Sequence, residues 1–149
     1  FVPAWRVEIE KYFSLVLFNY LFSNGDAHLK NFALLESTQG DYLLSPAYDL
    51  LNTRLHVSDS DFGLDKGLFT DGFKSVEYAK SGHPSKTDFV EFGRRIGVSE
   101  QRVEKLIMPF LTKQDLVEVL VKHSSLNVAN KRGYMLRYNT KRNLLLKKL

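Results

Sequence analysis

Apolar residues thicken along the first long segment of the chain. In WRVEIEKYFSLVLFNYLFS (residues 5–23), Val7, Ile9 and Phe13 mark one side early, and Leu15, Val16, Leu17, Phe18, Leu21 and Phe22 then surround the axis. That is the pattern of a helix running into a core. Asn24-Gly25 is expected to end it, because both residues accept the left-handed conformation common past a helix C-terminus. FALLE (32–36) and DYLLS (41–45) are short apolar runs joined by STQG, which predicts a β-hairpin. From Pro46 to about Ser85 the periodicity fades among glycines and aspartates. Irregular stretches of that length in a compact domain are usually functional or wrapped over a site. Helical spacing returns over 87–97 and again over 99–111, where Ser99 reads as an N-cap. Thr112 with Asp115 predicts a capping-box start for a further helix. Ser124 and Ser125 read as cap residues for a last, basic amphipathic helix over roughly 126–148. The pattern predicts a mainly α fold with one short hairpin and no internal repeat.

Composition narrows this picture. With 149 residues, 44% of them hydrophobic, the chain has the size of one domain with a full core. No apolar run reaches the eighteen or so residues of a membrane span. Without cysteine there are no disulfides and no thiolate chemistry, and FVPAWRVEIEKYF lacks a signal-peptide pattern, so a cytoplasmic protein is expected. The four histidines, His28, His56, His83 and His123, have no metal-binding spacing, which argues against zinc. Asp59, Asp61 and Asp65 have a superficially calcium-loop-like spacing but lack the terminal glutamate such loops need. The net charge of +4 is uneven: residues 131–149 hold seven of the twenty-one basic residues and no acid, leaving fourteen basic against seventeen acidic before them. Such a tail is read first as a solvated helix face, and second as a contact for nucleic acid or an acidic partner.

The richest chemistry lies in NGDAHLKNF (24–32), directly after the apolar helix. If the hairpin pairs residues whose numbers sum to about 77, Asn31 faces Pro46 and Asp49 lies three residues further on. A strand of this length goes out and back about 17 Å, returning Asp49 to the neighbourhood of Asp26 and Asn31. An Asp, an Asn five positions on, and a second Asp after a hairpin form the set that phosphoryl transfer in kinases requires. Asp26 would take the proton of the attacking hydroxyl, while Asn31 and Asp49 would hold Mg²⁺, which favours hard oxygen ligands and keeps several waters. Lys30 is placed to neutralise charge on the transferring group.

NGDAHLKNF followed by LLSPAYDLLNTRLH resembles the C-terminal region of HipA-type serine/threonine kinases, toxins of bacterial toxin–antitoxin pairs with a protein-kinase-like fold. The resemblance implies a kinase-like C-terminal lobe spanning residues 1–149, with ATP and Mg²⁺ as cofactors and a protein substrate. It implies Asp26 as catalytic base, Asn31 and Asp49 as metal ligands, His28 and Lys30 along the phosphates, and Tyr48 against the nucleotide. Gly-Asp-Ala-His stands where ordinary protein kinases have His-Arg-Asp, as the HipA group leads one to expect. Residues 55–69 would occupy the place of an activation segment. The glycine-rich cover and strand lysine of an N-terminal lobe are not found in this sequence, so weak nucleotide binding and no turnover are expected of these residues alone. The resemblance also implies a helix-turn-helix antitoxin as partner. A reading of another class is a non-catalytic helical module whose basic last helix, through Lys141, Arg142, Lys147 and Lys148, docks on a partner protein or on DNA.

Overall fold

The computed structural model describes residues 2–63 and 67–146. It is mainly helical, with one two-stranded antiparallel hairpin. The elements are α1 (Trp5–Leu21), β1 (Leu34–Glu36), β2 (Tyr42–Leu44), α2 (Val76–Ser81), α3 (Lys86–Arg95), α4 (Glu100–Leu111), α5 (Asp115–His123) and α6 (Val128–Leu146), with short 3₁₀ turns at Leu29–Asn31 and Thr53–Leu55.

α1 is the central element. Phe13, Val16, Leu17, Tyr20 and Leu21 are buried, and they meet Phe89 and Phe92 of α3, Val103 and Ile107 of α4, and Tyr138 and Leu145 of α6. Phe13 stacks on Phe92 and meets Phe89 edge-on. Fully burying each such side chain contributes about 1.5–3 kcal/mol. α5 packs on α6, and β2 lies on α1, where the buried carboxylate of Glu8 accepts the Leu44 amide at 2.8 Å.

Helix boundaries depart from expectation where a side chain finds a different partner. α1 is ended by Ser23, at φ 59°, ahead of the expected Asn24-Gly25. α3 begins at a capping box that the sequence reading passed over: the fully buried Asp88 carboxylate accepts the Ser85 amide and both the amide and hydroxyl of Ser75. Ser99 does precede α4, though its side chain makes no capping bond. The cap position of α5 is Gln114, not Thr112. Asn127 rather than Ser124 or Ser125 caps α6, its Oδ1 accepting the Asn130 amide at 2.8 Å, while Ser124 Oγ turns back to Val121 O.

The hairpin's register is one residue away from the expected one, pairing Leu34 with Leu44, Leu35 with Leu43 and Glu36 with Tyr42. All three β1 residues are exposed, so burial does not dictate the register. The turn does: Ser37 N donates to Asp41 O, and Gly40 takes φ 79°.

The basic last helix is not simply a solvated face. Lys141 is 3% exposed and its Nζ lies 2.8 Å from Asp61 Oδ1, while Arg142 donates to Leu111 O at 3.2 Å. Two of the four cations assigned to DNA or partner contact are thus engaged within the fold; Lys147 and Lys148 lie outside the described residues, as does Asp65. None of the described helices is long and apolar enough to cross a membrane.

Candidate functional site

The loop between α1 and β1 is built on two buried asparagines. Asn19 turns its amide onto Leu15 O within α1 and offers Oδ1 to Asn24 Nδ2 at 2.9 Å. Asn24, 3% exposed, also donates to the carbonyl of Asp49 at 3.0 Å, and its own Oδ1 accepts the Asp26 amide at 3.2 Å. One buried side chain therefore ties the end of α1 to both Asp26 and Asp49. Thr53 fastens the same loop from the far side, its hydroxyl accepting the Gly25 amide at 2.9 Å.

On this base the candidate residues gather at the surface. Asn31 Nδ2 donates to Asp49 Oδ2 at 3.1 Å, bridging eighteen positions, and to Asp26 O at 3.3 Å. His28 Nε2 lies 2.8 Å from Asp26 Oδ1, and both side chains are open to solvent. Tyr48 OH donates to Lys30 O at 2.8 Å, so the tyrosine fixes the backbone of the lysine while its ring stays exposed. Lys30 is exposed. Asp49 reaches Asn31 despite the shifted register because it lies beyond the strand, turned by a left-handed φ of 55°. That conformation is uncommon outside glycine, and Asp and Asn are the side chains that tolerate it best. All six predicted residues lie on one stretch of surface or its immediate backbone. An apolar groove of about 400 Å³ lies between the first half of α1 and the hairpin, with Trp5, Tyr12, Leu29, Phe32, Leu34 and Leu44 in its walls and none of the six residues lining it.

The residue types offer hard oxygen donors, with Asn31 presenting Nδ2 rather than Oδ1 to Asp49. Among the described residues no group of three or more His, Cys, Asp or Glu could hold a metal, so a cation here would draw on one carboxylate, Asp49, and one amide oxygen, Asn31. Such a pair suits Mg²⁺, which completes its shell with water and phosphate oxygens.

Sequence reasoning missed the supporting residues. Asn24 is expected only as a helix stop, and Asn19 carries no expectation; a polar residue within the strongly apolar part of that helix was the signal available. It also missed a buried charged cluster of Asp61, His83 and Lys141. Asp61-Phe62-Gly63 has the letters of the kinase metal-binding tripeptide, yet the Asp61 side chain is 9% exposed and engaged by Lys141 at 2.8 Å and His83 Nδ1 at 2.6 Å. Burial raises the Asp61 pKa, but His83 and Lys141 outweigh it and hold the carboxyl below its ordinary 3.8. Burial pushes the Lys141 ammonium down, with Asp61 opposing.

Comparison with known proteins places the chain in a family. Residues 2–117 match the family model of the HipA-like C-terminal domain. The chain is similar to "Putative kinase Y4dM" of Sinorhizobium fredii, 37% identical over 60 residues, covering 40% of this chain and 15% of that protein. It is also similar to a "Putative kinase" of Haemophilus influenzae, 27% identical over 128 residues, covering 75% of this chain and 35% of the relative. The matched region thus spans about a third or less of these curated relatives.

Proposed function

The chain belongs to the HipA-like C-terminal domain family, and from that premise we propose that it is the C-terminal catalytic lobe of a serine/threonine protein kinase. The reaction is transfer of the γ-phosphoryl group of ATP to a hydroxyl of a protein target. The observation that carries this reading is the 3.1 Å approach of the Asn31 amide to the Asp49 carboxylate on the same surface as Asp26.

In this reading Asp26 receives the proton of the attacking hydroxyl. The hydroxyl oxygen bonds to the γ-phosphorus, the bond from phosphorus to the bridging oxygen breaks, and ADP leaves with that electron pair. His28 occupies Oδ1 of Asp26 and so orients the carboxylate, leaving Oδ2 for the proton. Asn31 and Asp49 would hold Mg²⁺ through an amide and a carboxylate oxygen, and the ion would supply neutralisation of the phosphate charge. Lys30 adds a positive charge along the phosphates, and the exposed ring of Tyr48 offers a surface to the nucleotide base. Kinases cover the phosphates with a second, strand-rich lobe, so these 149 residues alone bind nucleotide weakly and do not turn over. The wider reading is that of a cytoplasmic toxin whose partner is a helix-turn-helix antitoxin.

The test uses the full-length protein that carries this chain, with transfer of labelled phosphate from ATP to protein serine or threonine as the readout. Asp26→Asn lowers the rate by roughly 10²–10⁴-fold, the range for a lost general base, and Asp49→Asn abolishes it. A transfer rate that survives both substitutions overturns the reading.

A further inference from the structure

We propose that Lys141, Asp61 and His83 form a positioning device for the loop that carries Asp26, His28 and Asn31, acting through backbone contact at Gly63. The device begins deep in the fold. Lys141 Nζ is 2.8 Å from Asp61 Oδ1 and 2.9 Å from Tyr20 O, and it lies over the Tyr20 ring at 4.7 Å. One ammonium group therefore joins α6, the last turn of α1 and the segment around Asp61. His83, just past α2, takes the other carboxylate oxygen at 2.6 Å. Between them Asp61 is held from two sides, and Phe62 is sealed against Tyr20 with ring centres 5.7 Å apart.

The transmission is steric. A Cβ on Gly63 would sit 2.7 Å from Ala27 C and 2.8 Å from the amide nitrogens of Ala27 and His28. A Cβ on Gly25 would sit 2.5 Å from Asp59 Cβ and 2.6 Å from Ser60 O. Segment 59–63 therefore lies directly on residues 25–28 at both ends, backbone against backbone at Gly63 and through the Asp59 side chain and the Ser60 carbonyl at Gly25. Moving Asp61 moves the backbone from which Asp26 and His28 project. A buried ion pair is a poor source of net stability compared with well-packed apolar groups, and its best-attested use is fixing a register. Lys141 lies beyond the residues that match the family model, so α6 reaches back into the matched domain to supply this restraint. The consequence for phosphate transfer rests on the kinase reading above; the mechanical link does not.

The test separates position from stability in this chain. Asp61→Leu with Lys141→Met replaces the ion pair by apolar groups, and Gly63→Ala strikes the contact while leaving the pair in place. The melting temperature, the NMR signals of the Asn31 side-chain amide and the His28 backbone amide, and titration with Mg²⁺ and ATP are read for each. The double variant is expected to melt near the parent yet show displaced Asn31 and His28 signals, with affinity for Mg²⁺–ATP reduced roughly ten- to hundred-fold, the usual cost of losing an outer positioning partner. Gly63→Ala displaces the same signals. A double variant that fails to fold is replaced by His83→Gln, on a part-exposed side chain, which gives a smaller displacement in the same two signals. Signals at parental positions in the folded variants overturn the proposal. Displaced signals with unchanged affinity for Mg²⁺–ATP keep the device and detach it from the kinase reading, which is decided by phosphate transfer in the full-length protein.

Discussion

The loop after α1 has an aspartate–histidine pair on each side of it. On the outer side Asp26 and His28 meet at 2.8 Å, with side chains 62% and 46% exposed. On the inner side Asp61 and His83 meet at 2.6 Å, and Asp61 is 9% exposed with Lys141 against its other oxygen. Geometry alone does not distinguish these pairs; solvent does. In water an ion pair at this distance is worth about 1 kcal/mol or less, and its members exchange partners readily. Out of water the Asp61 carboxylate and the Lys141 ammonium depend on each other, because neither can be rehydrated if its partner leaves. The outer pair is thus suited to receive a substrate proton, and the inner pair to hold backbone in place.

The sharpest way to break that contrast is to remove one inner partner. Lys141→Ala leaves the Asp61 carboxylate buried beside His83 alone, and is expected to destabilise the fold by about 3–5 kcal/mol, the usual cost of orphaning a buried charge. Urea denaturation checks this. A loss below about 1 kcal/mol would make the inner cluster energetically equivalent to a surface pair.

Asn24→Ala ranks next, because it lies between the two regions. It removes the side chain that joins Asn19, the Asp26 amide and the Asp49 carbonyl, leaving buried groups without partners. The expected loss is about 1–3 kcal/mol, and the left-handed Asp49 loses its tether. Thermal melting gives the first effect. Collapse of the Asn31–Asp49 contact, followed by the NMR signal of the Asn31 side-chain amide, gives the second.

How far these regions could be read beforehand follows from the same contrast. The outer residues were legible because polar residue types at fixed spacing around a hairpin can be brought together, and Asp26, Asn31 and Asp49 have that spacing whatever the exact register. The hairpin could slip by one residue without spoiling the prediction, since Asp49 stands beyond the strand on its own turn. The helices were legible because apolar periodicity reports burial. The inner cluster was not, because a lysine in a basic helix and an aspartate in an Asp-rich loop look solvated until packing brings Lys141 and Asp61 together across eighty residues. Caps failed for a related reason: Thr112, Ser124 and Asn127 all suit the role, and the path of the chain decides among them.

Acid titration sharpens the comparison at lower amplitude. Asp61 has a folded pKa below 3.8 because His83 and Lys141 together overcome its burial. Glu91 is drawn to about 2 by hydrogen bonds from Arg94 and Arg95. A carboxyl with a depressed folded pKa stabilises the fold above its unfolded pKa, and that contribution is lost as pH falls through the folded value. Stability is therefore expected to decline from about pH 5 downward. The decline is shallower in Asp61→Asn, where the Glu91 contribution remains. Denaturation midpoints measured between pH 6 and pH 2.5 check the slope, and an unchanged acid limb in that variant would place the linkage elsewhere.

The smallest expected effect is the most discriminating. Asp49→Asn keeps a side chain that tolerates the left-handed backbone and can still accept from Asn31 through its own carbonyl oxygen, so stability should change by no more than about 0.5 kcal/mol. The fold loses only a negative charge already facing water. If the outer cluster exists to hold a cation, that charge is what the cation needs, and Mg²⁺-dependent nucleotide binding should vanish from a protein that melts as before. Isothermal titration on parent and variant gives the answer. Unaltered binding would mean that Asp49 is held in its strained turn for the sake of the loop alone, and the outer cluster would then differ from the inner one in exposure but not in purpose.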